Sequence, residues 1–174
     1  MNPQWPWSLP AMILVGCPAV VADSGKAVIQ GTTEGPTVSG TATLTDTPEG
    51  LKITVRVEGV SAGKHGLHIH EFGVCDDQGK AAGGHYNPDG VKHGFLPTDG
   101  FKGAHAGDLG NIEVGGDGTG RLDLTIRGLR VSGGKHAVGG RAVVLHAQVD
   151  DVAQQPAGNA GARIGCGPIV ITGK

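Results

Sequence analysis

The sequence predicts an all-β chain folded as an antiparallel sandwich or barrel. Three observations carry that expectation. Short apolar runs recur at period two, Gly, Pro and Asp punctuate them densely, and no helical period persists long enough for a long helix. The 33 glycines among 174 residues favour turns in the same way, and no Gly-x-y period suggests collagen.

Taken in order, residues 1–22 read as an export segment. Ala11–Val15 is apolar, and Pro18–Ala22 continues the run after Cys17, too short for a spanning helix of about 20 apolar residues. Leu14-Val15-Gly16-Cys17 resembles a bacterial lipobox, which would lipidate Cys17. Val20-Val21-Ala22 instead fits a small-residue cleavage site. Met1–Pro10 carries no Lys or Arg. Either exit places the protein outside the cytoplasm, in the periplasm or cell envelope.

The body of the chain begins near Lys26, and residues 26–174 read as one domain. Thr37–Thr45 alternates Thr with small residues, and Leu51-Ile53-Val55-Val57 keeps period two between Pro48-Glu49-Gly50 and Gly59. Leu122-Leu124-Ile126 repeats the pattern after Gly116-Asp117-Gly118, and Ala142–Ala147 and Ile169–Ile171 are short apolar runs. Two stretches break the rhythm, Phe72–Leu109 and Ala147–Gly165. Loops of that length are usually functional or disordered.

Charge and composition narrow the function. A net charge of −2 argues against a nucleic-acid binder that works by neutralising phosphate. Aromatics make up only 3%, so the core rests on Val, Ile, Leu and Ala, yet there are eight histidines. Pairing Cys75 with Cys166 would close a loop worth about 4–5 kcal/mol in the chain-entropy model and would need an oxidising compartment. Two buried thiols are the alternative.

The histidines lie in a pattern. In an extended strand, His68 and His70 share one face while Leu67 and Ile69 fill the other. Alone, such a pair is more often two surface histidines than a metal site. The first long loop, however, holds His85, His93, His105 and Asp108, and three imidazoles with one carboxylate suit a closed tetrahedral zinc site. His146 ends the apolar strand Val143-Val144-Leu145, a third strand-borne imidazole for a site whose all-nitrogen ligands suit copper.

Four segments then carry a resemblance: Gly66-Leu67-His68-Ile69-His70-Glu71-Phe72-Gly73, Gly84-His85-Tyr86-Asn87-Pro88, His105-Ala106-Gly107-Asp108-Leu109-Gly110-Asn111, and Gly158–Gly167. In order and spacing, the chain from about Lys26 onward resembles the copper/zinc superoxide dismutases. The resemblance implies an eight-stranded antiparallel Greek-key barrel with two long functional loops. It implies copper on His68, His70, His85 and His146, and zinc on His85, His93, His105 and Asp108, with His85 bridging. It also implies a Cys75–Cys166 disulfide, an Asp150 carboxylate joining a copper histidine to a zinc histidine, and Arg163 positioning the anionic substrate. The implied catalytic residues are Arg163 and His85, the latter exchanging a proton as superoxide is dismutated to O₂ and peroxide. Non-catalytic copper-binding or copper-delivering relatives often lack copper ligands or the arginine, and this chain has the full set. The segment between His146 and Arg163 contains no lysine, Ala157 stands where many members carry threonine, and Glu71–Cys75 is compact. That compactness departs from the eukaryotic type of dimer contact but leaves a homodimer open. Membrane contact is expected only through a lipid on Cys17.

Overall fold

The computed structural model describes residues 22–33 and 38–173. Cys17 and the rest of the export segment up to residue 21 lie outside them. Eight strands form: β1 (Ser24–Gly31), β2 (Ser39–Thr47), β3 (Gly50–Glu58), β4 (Gly63–His70), β5 (Asp108–Val114), β6 (Gly120–Ile126), β7 (Ala142–His146) and β8 (Arg163–Gly173). One short helix, α1 (Leu96–Asp99), and a 3₁₀ turn over Lys80–Ala82 interrupt the first long loop.

All pairings are antiparallel, and the sheet closes on itself in the order β1-β2-β3-β6-β5-β4-β7-β8. The crossings from β3 to β6 and from β4 to β7 make it a Greek-key barrel, and closure leaves no free sheet edge. The alternation predicted for β3 holds: Leu51, Ile53, Val55 and Val57 are buried, while Lys52, Arg56 and Glu58 are exposed. They meet Ala27, Ile29, Ala42, Leu44, Leu67, Ile69, Leu145 and Ile169 in one core. With few aromatic rings available, dispersion contacts between branched aliphatic side chains fill it.

Three strands are buried differently. All five residues of β7, Gly66–His70 of β4 and Asp108–Gly110 of β5 have one face on the core, and the two long loops cover the other. Double burial erases the period-two signal. The loop carrying residues 71–107 is stitched to β4 where the Ile69 N–H donates to the Gly107 carbonyl and the Tyr86 N–H to the Ile69 carbonyl. Gly107 must be glycine at this approach, because a Cβ there would strike the Ile69 carbonyl oxygen.

Cys75 and Cys166 form a disulfide, with Cα atoms 5.7 Å apart across a sequence separation of 91 residues. It ties the first loop to β8, and the unpaired-thiol alternative falls away.

Candidate metal centre

Strand register assembles the site on the outer face of β4. His68 lies opposite Asp108 of β5 on one side and Val144 of β7 on the other, so His146, two residues on, reaches the same patch. An isolated bridge between His70 and His85 brings in the loop. His68, His70, His85 and His146 gather with one ligand atom each within 4.8 Å of one another. His85, His93, His105 and Asp108 form a second such group, so His85 belongs to both. All seven residues are buried.

Hydrogen bonds aim the imidazoles. His70 Nδ1–H donates to the Gly83 carbonyl (3.0 Å) and His146 Nδ1–H to the Gly161 carbonyl (3.3 Å). That tautomer turns both Nε2 lone pairs inward, where they lie 3.3 Å apart. His68 is anchored through Nε2 to Asp150 Oδ2 at 3.2 Å, which leaves its buried Nδ1 without a partner. Two facing lone pairs and one orphaned buried nitrogen are costly unless a cation sits among them. The donor set fits copper.

The second group converges on one carboxylate. His85 Nδ1, His93 Nδ1 and His105 Nδ1 lie 2.8, 3.0 and 3.1 Å from the Asp108 oxygens. The His93 contact is close in distance but is not aligned as a hydrogen bond, so its Nδ1 is also orphaned. Asp108 Oδ2 accepts from the Gly94 and His105 N–H groups, fixing the carboxylate. Three nitrogens and one anionic oxygen fit tetrahedral zinc. Asp150 joins the groups, since Oδ1 meets His93 Nε2 at 2.8 Å while Oδ2 meets His68. Asn111 holds Asp150 in turn, its side-chain amide pairing with both the N–H and the carbonyl of that residue.

Electrostatics sort the histidines. Burial, reinforced by the crowding of neighbouring imidazoles and by Arg163, pushes His70 down to about 2 and His146 to about 3. Burial lowers His85 to about 4 against the pull of Asp108. Those three stay neutral, as ligands must be. Burial also opposes charge on His93, but the Asp108 and Asp150 carboxylates outweigh it and raise the group to about 9. Burial disfavours the ionised Asp108 and Asp150 too, yet their histidine partners hold Asp150 at about 2 and Asp108 well below the usual carboxylate range.

A consequence for metal uptake follows. In the chelator-stripped chain at pH 7, His93 carries a proton that zinc must displace. Zinc uptake should therefore release about one proton from His93, and apparent zinc affinity should rise about tenfold per pH unit between pH 7 and 9. The sign for stability is opposite: the raised value stabilises the stripped fold below its unfolded value, near pH 6.5, and that contribution is lost as pH rises through 9. Calorimetry in two buffers of different ionisation enthalpy measures the proton count, and zero at pH 7 would contradict it.

Arg163, at the start of β8, lines the cleft over His70, His85 and His146 with Ala157, Asn159 and Gly161. Its guanidinium donates to the Gly79 carbonyl (2.5 Å) and the Gly83 carbonyl (2.6 Å). Gly83 thus holds both a copper-group histidine and the arginine. The disulfide fixes this segment, because the Gly79 N–H donates to the Cys75 carbonyl. No other formally charged residue lines the cleft among the described residues.

The two remaining histidines serve the frame. His65 places Nδ1 2.9 Å from the His146 carbonyl and Nε2 2.9 Å from the Ser61 carbonyl, steadying the His146 backbone from below. Sequence reasoning passed over it, although its neighbourhood to His68 was visible. His136 stacks on Phe101 at 3.7 Å and bonds Asp89, pinning the zinc-group loop to the segment before β7.

A family model described as Copper/zinc superoxide dismutase (SODC) matches residues 38–169. A Cu-Zn superoxide dismutase of Deinococcus radiodurans is 40% identical over 173 residues, covering 92% of this chain and 88% of the relative. One from Onchocerca volvulus is 38% identical over 148 residues, covering 79% and 91%. Among solved structures, the clock protein EA4 superposes with a TM-score of 0.76 at 34% identity, covering 87% of this chain and 96% of the other.

Proposed function

Because the chain belongs to the copper/zinc superoxide dismutase family, it dismutates superoxide, and we propose that its two ligand groups divide that work between copper and zinc. His68, His70, His85 and His146 hold copper. His85, His93, His105 and Asp108 hold zinc. The observation that carries this reading is the membership of His85 in both groups. Two superoxide anions and two protons become O₂ and H₂O₂. Copper, when bound, supplies the one-electron exchange between them, which zinc, lacking redox chemistry, cannot.

The protein's own groups do the rest. Arg163 offers the charge that draws the anion into the cleft, and its fork to two carbonyls holds the remaining N–H groups in a fixed direction. His85 keeps Nδ1 on the zinc side and exchanges a proton at Nε2 on the other. The half-buried Gly83 carbonyl locks His70 and Arg163 to one another. Superoxide decay in the presence of the copper- and zinc-loaded protein tests the activity, and a decay rate no faster than the spontaneous one would overturn it. Arg163→Lys keeps the charge but not the fork. It should lower kcat/KM roughly tenfold while both metals remain bound; an unchanged value would remove Arg163 from the substrate site.

The address and assembly belong to the same proposal. Residues 1–22 direct export, Cys17 carries a lipid, and the enzyme protects the cell envelope from superoxide. Fatty-acid labelling that does not depend on Cys17 would remove the lipid from this picture. Among the described residues no helix is long and apolar enough to cross a membrane. A homodimer is supported by exposed Val28 on β1 and Val170 on β8, flanked by Pro168, with Lys26 on one border and Asp76 and Asp77 on the other. A two-fold axis would set the lysine of one copy against the aspartates of the next. Sedimentation equilibrium giving only monomer would exclude it.

A further inference from the structure

The zinc-group loop has no strand partner over residues 87–104, so its backbone must be satisfied otherwise. Side-chain amides take on part of that role. Asn87 donates to the Val91 carbonyl (2.9 Å) and accepts from the Val91 N–H (3.1 Å), a clamp within the loop. Gln155 does the same across 62 residues: its Oε1 accepts from the His93 N–H and its Nε2 donates to the His93 carbonyl, both at 2.9 Å. Together the two bonds copy the pairing a neighbouring strand would provide. They also fix the orientation of the amide, since the reversed amide would satisfy neither. Among the described residues, these are the only hydrogen bonds made by the His93 backbone.

His93 is 1% exposed, while the residue clamping it sits in an exposed loop. That loop is itself closed by turns. Asp151 N–H donates to the Gly158 carbonyl and Gly158 N–H to the Gln154 carbonyl, each at 2.9 Å. The same short unit thus grips His93 twice, by the ring through Asp150 and by the backbone through Gln155. Its other side lines the cleft through Pro156 and Ala157.

We propose that Gln155 is a positioning residue for zinc, acting through His93, and that its amide clamp couples retention of that metal to the loop forming the cleft wall. The proposal rests on the zinc reading above. The backbone clamp sets where the His93 Cα stands, and the Asp150 bond sets the ring rotation. Without the clamp, the imidazole keeps its second anchor but loses a fixed origin. Outer partners of metal ligands typically contribute ten- to a hundredfold in affinity.

The test compares Gln155→Ala, Gln155→Glu and the exposed neighbour Gln154→Ala in the full copper- and zinc-loaded protein. Zinc release to a chromogenic chelator should be about tenfold faster in Q155A and unchanged in Q154A. Q155E keeps an acceptor for the His93 N–H but has no donor for the carbonyl, so it should behave like Q155A. Cobalt placed in the zinc site should show a shifted visible spectrum in Q155A and Q155E, which loss of general loop stability would not produce. Release at the unmodified rate in Q155A, retention in Q155E, or an unshifted cobalt spectrum would each overturn the proposal. If the unmodified protein takes up no zinc, the zinc reading itself fails, and the two failures are thereby distinguishable.

Discussion

His146→Ala should abolish copper binding and reduce superoxide dismutation by at least about a thousandfold, since without copper nothing in the cleft can exchange an electron. Zinc should remain, because His146 belongs to the copper group and not to the zinc group. The fold should remain too. The His65 bond runs to the His146 backbone carbonyl, which alanine keeps, and β7 stays paired with β4 and β8 through Val143, Val144 and Leu145. Removing the ring also relieves a buried nitrogen that faces His70 across 3.3 Å. Metal analysis and superoxide decay on the same preparation check this together. Activity above a few per cent of the unmodified protein, or zinc lost along with copper, would mean the ligand groups are misassigned.

The barrel and its site were legible from the sequence to different degrees, for physical reasons. β3 was plain because one face meets water and the other the core, so Leu51, Ile53, Val55 and Val57 alternate with polar residues. β5 was invisible. It opens with Asp108-Leu109-Gly110-Asn111, residues mostly poor in strand propensity, and its first three are all buried. Arg163 stood at the edge of an apparent loop but begins the 11-residue β8. His68 and His70 were readable as a pair because a strand's period is fixed, and the structure keeps Leu67 and Ile69 in the core behind them. What no spacing rule could supply is the set of contacts between separate loops. The Gln155 clamp on His93, the Gly83 carbonyl shared by His70 and Arg163, and the support His65 gives His146 all depend on tertiary placement.

The contact that leaves least room for change is the one between Gly158 and Asp150. Gly158 has φ +72, and a Cβ there would fall on Asp150 Oδ1 and lie 2.8 Å from His93 Nε2. Gly158→Ala must therefore displace the carboxylate that anchors His93 in one group and His68 in the other. Two costs combine: the left-handed backbone, about 1–2 kcal/mol for an L side chain, and the loss of a buried, fully paired carboxylate. The expected outcome is an unfolding midpoint lower by about 10–20 °C, with zinc and copper both held about ten- to a hundredfold less tightly. Gly90→Ala separates the two costs. It shares a positive φ of +63 but has nothing within 4 Å of its Cβ, so only the backbone cost applies, and its midpoint should drop by about 2–8 °C with metal binding intact. Calorimetric melting and chelator competition on both variants measure the difference. Equal behaviour of the two would mean that Asp150 can move aside without cost, and that the carboxylate joining the two groups does not hold them in place.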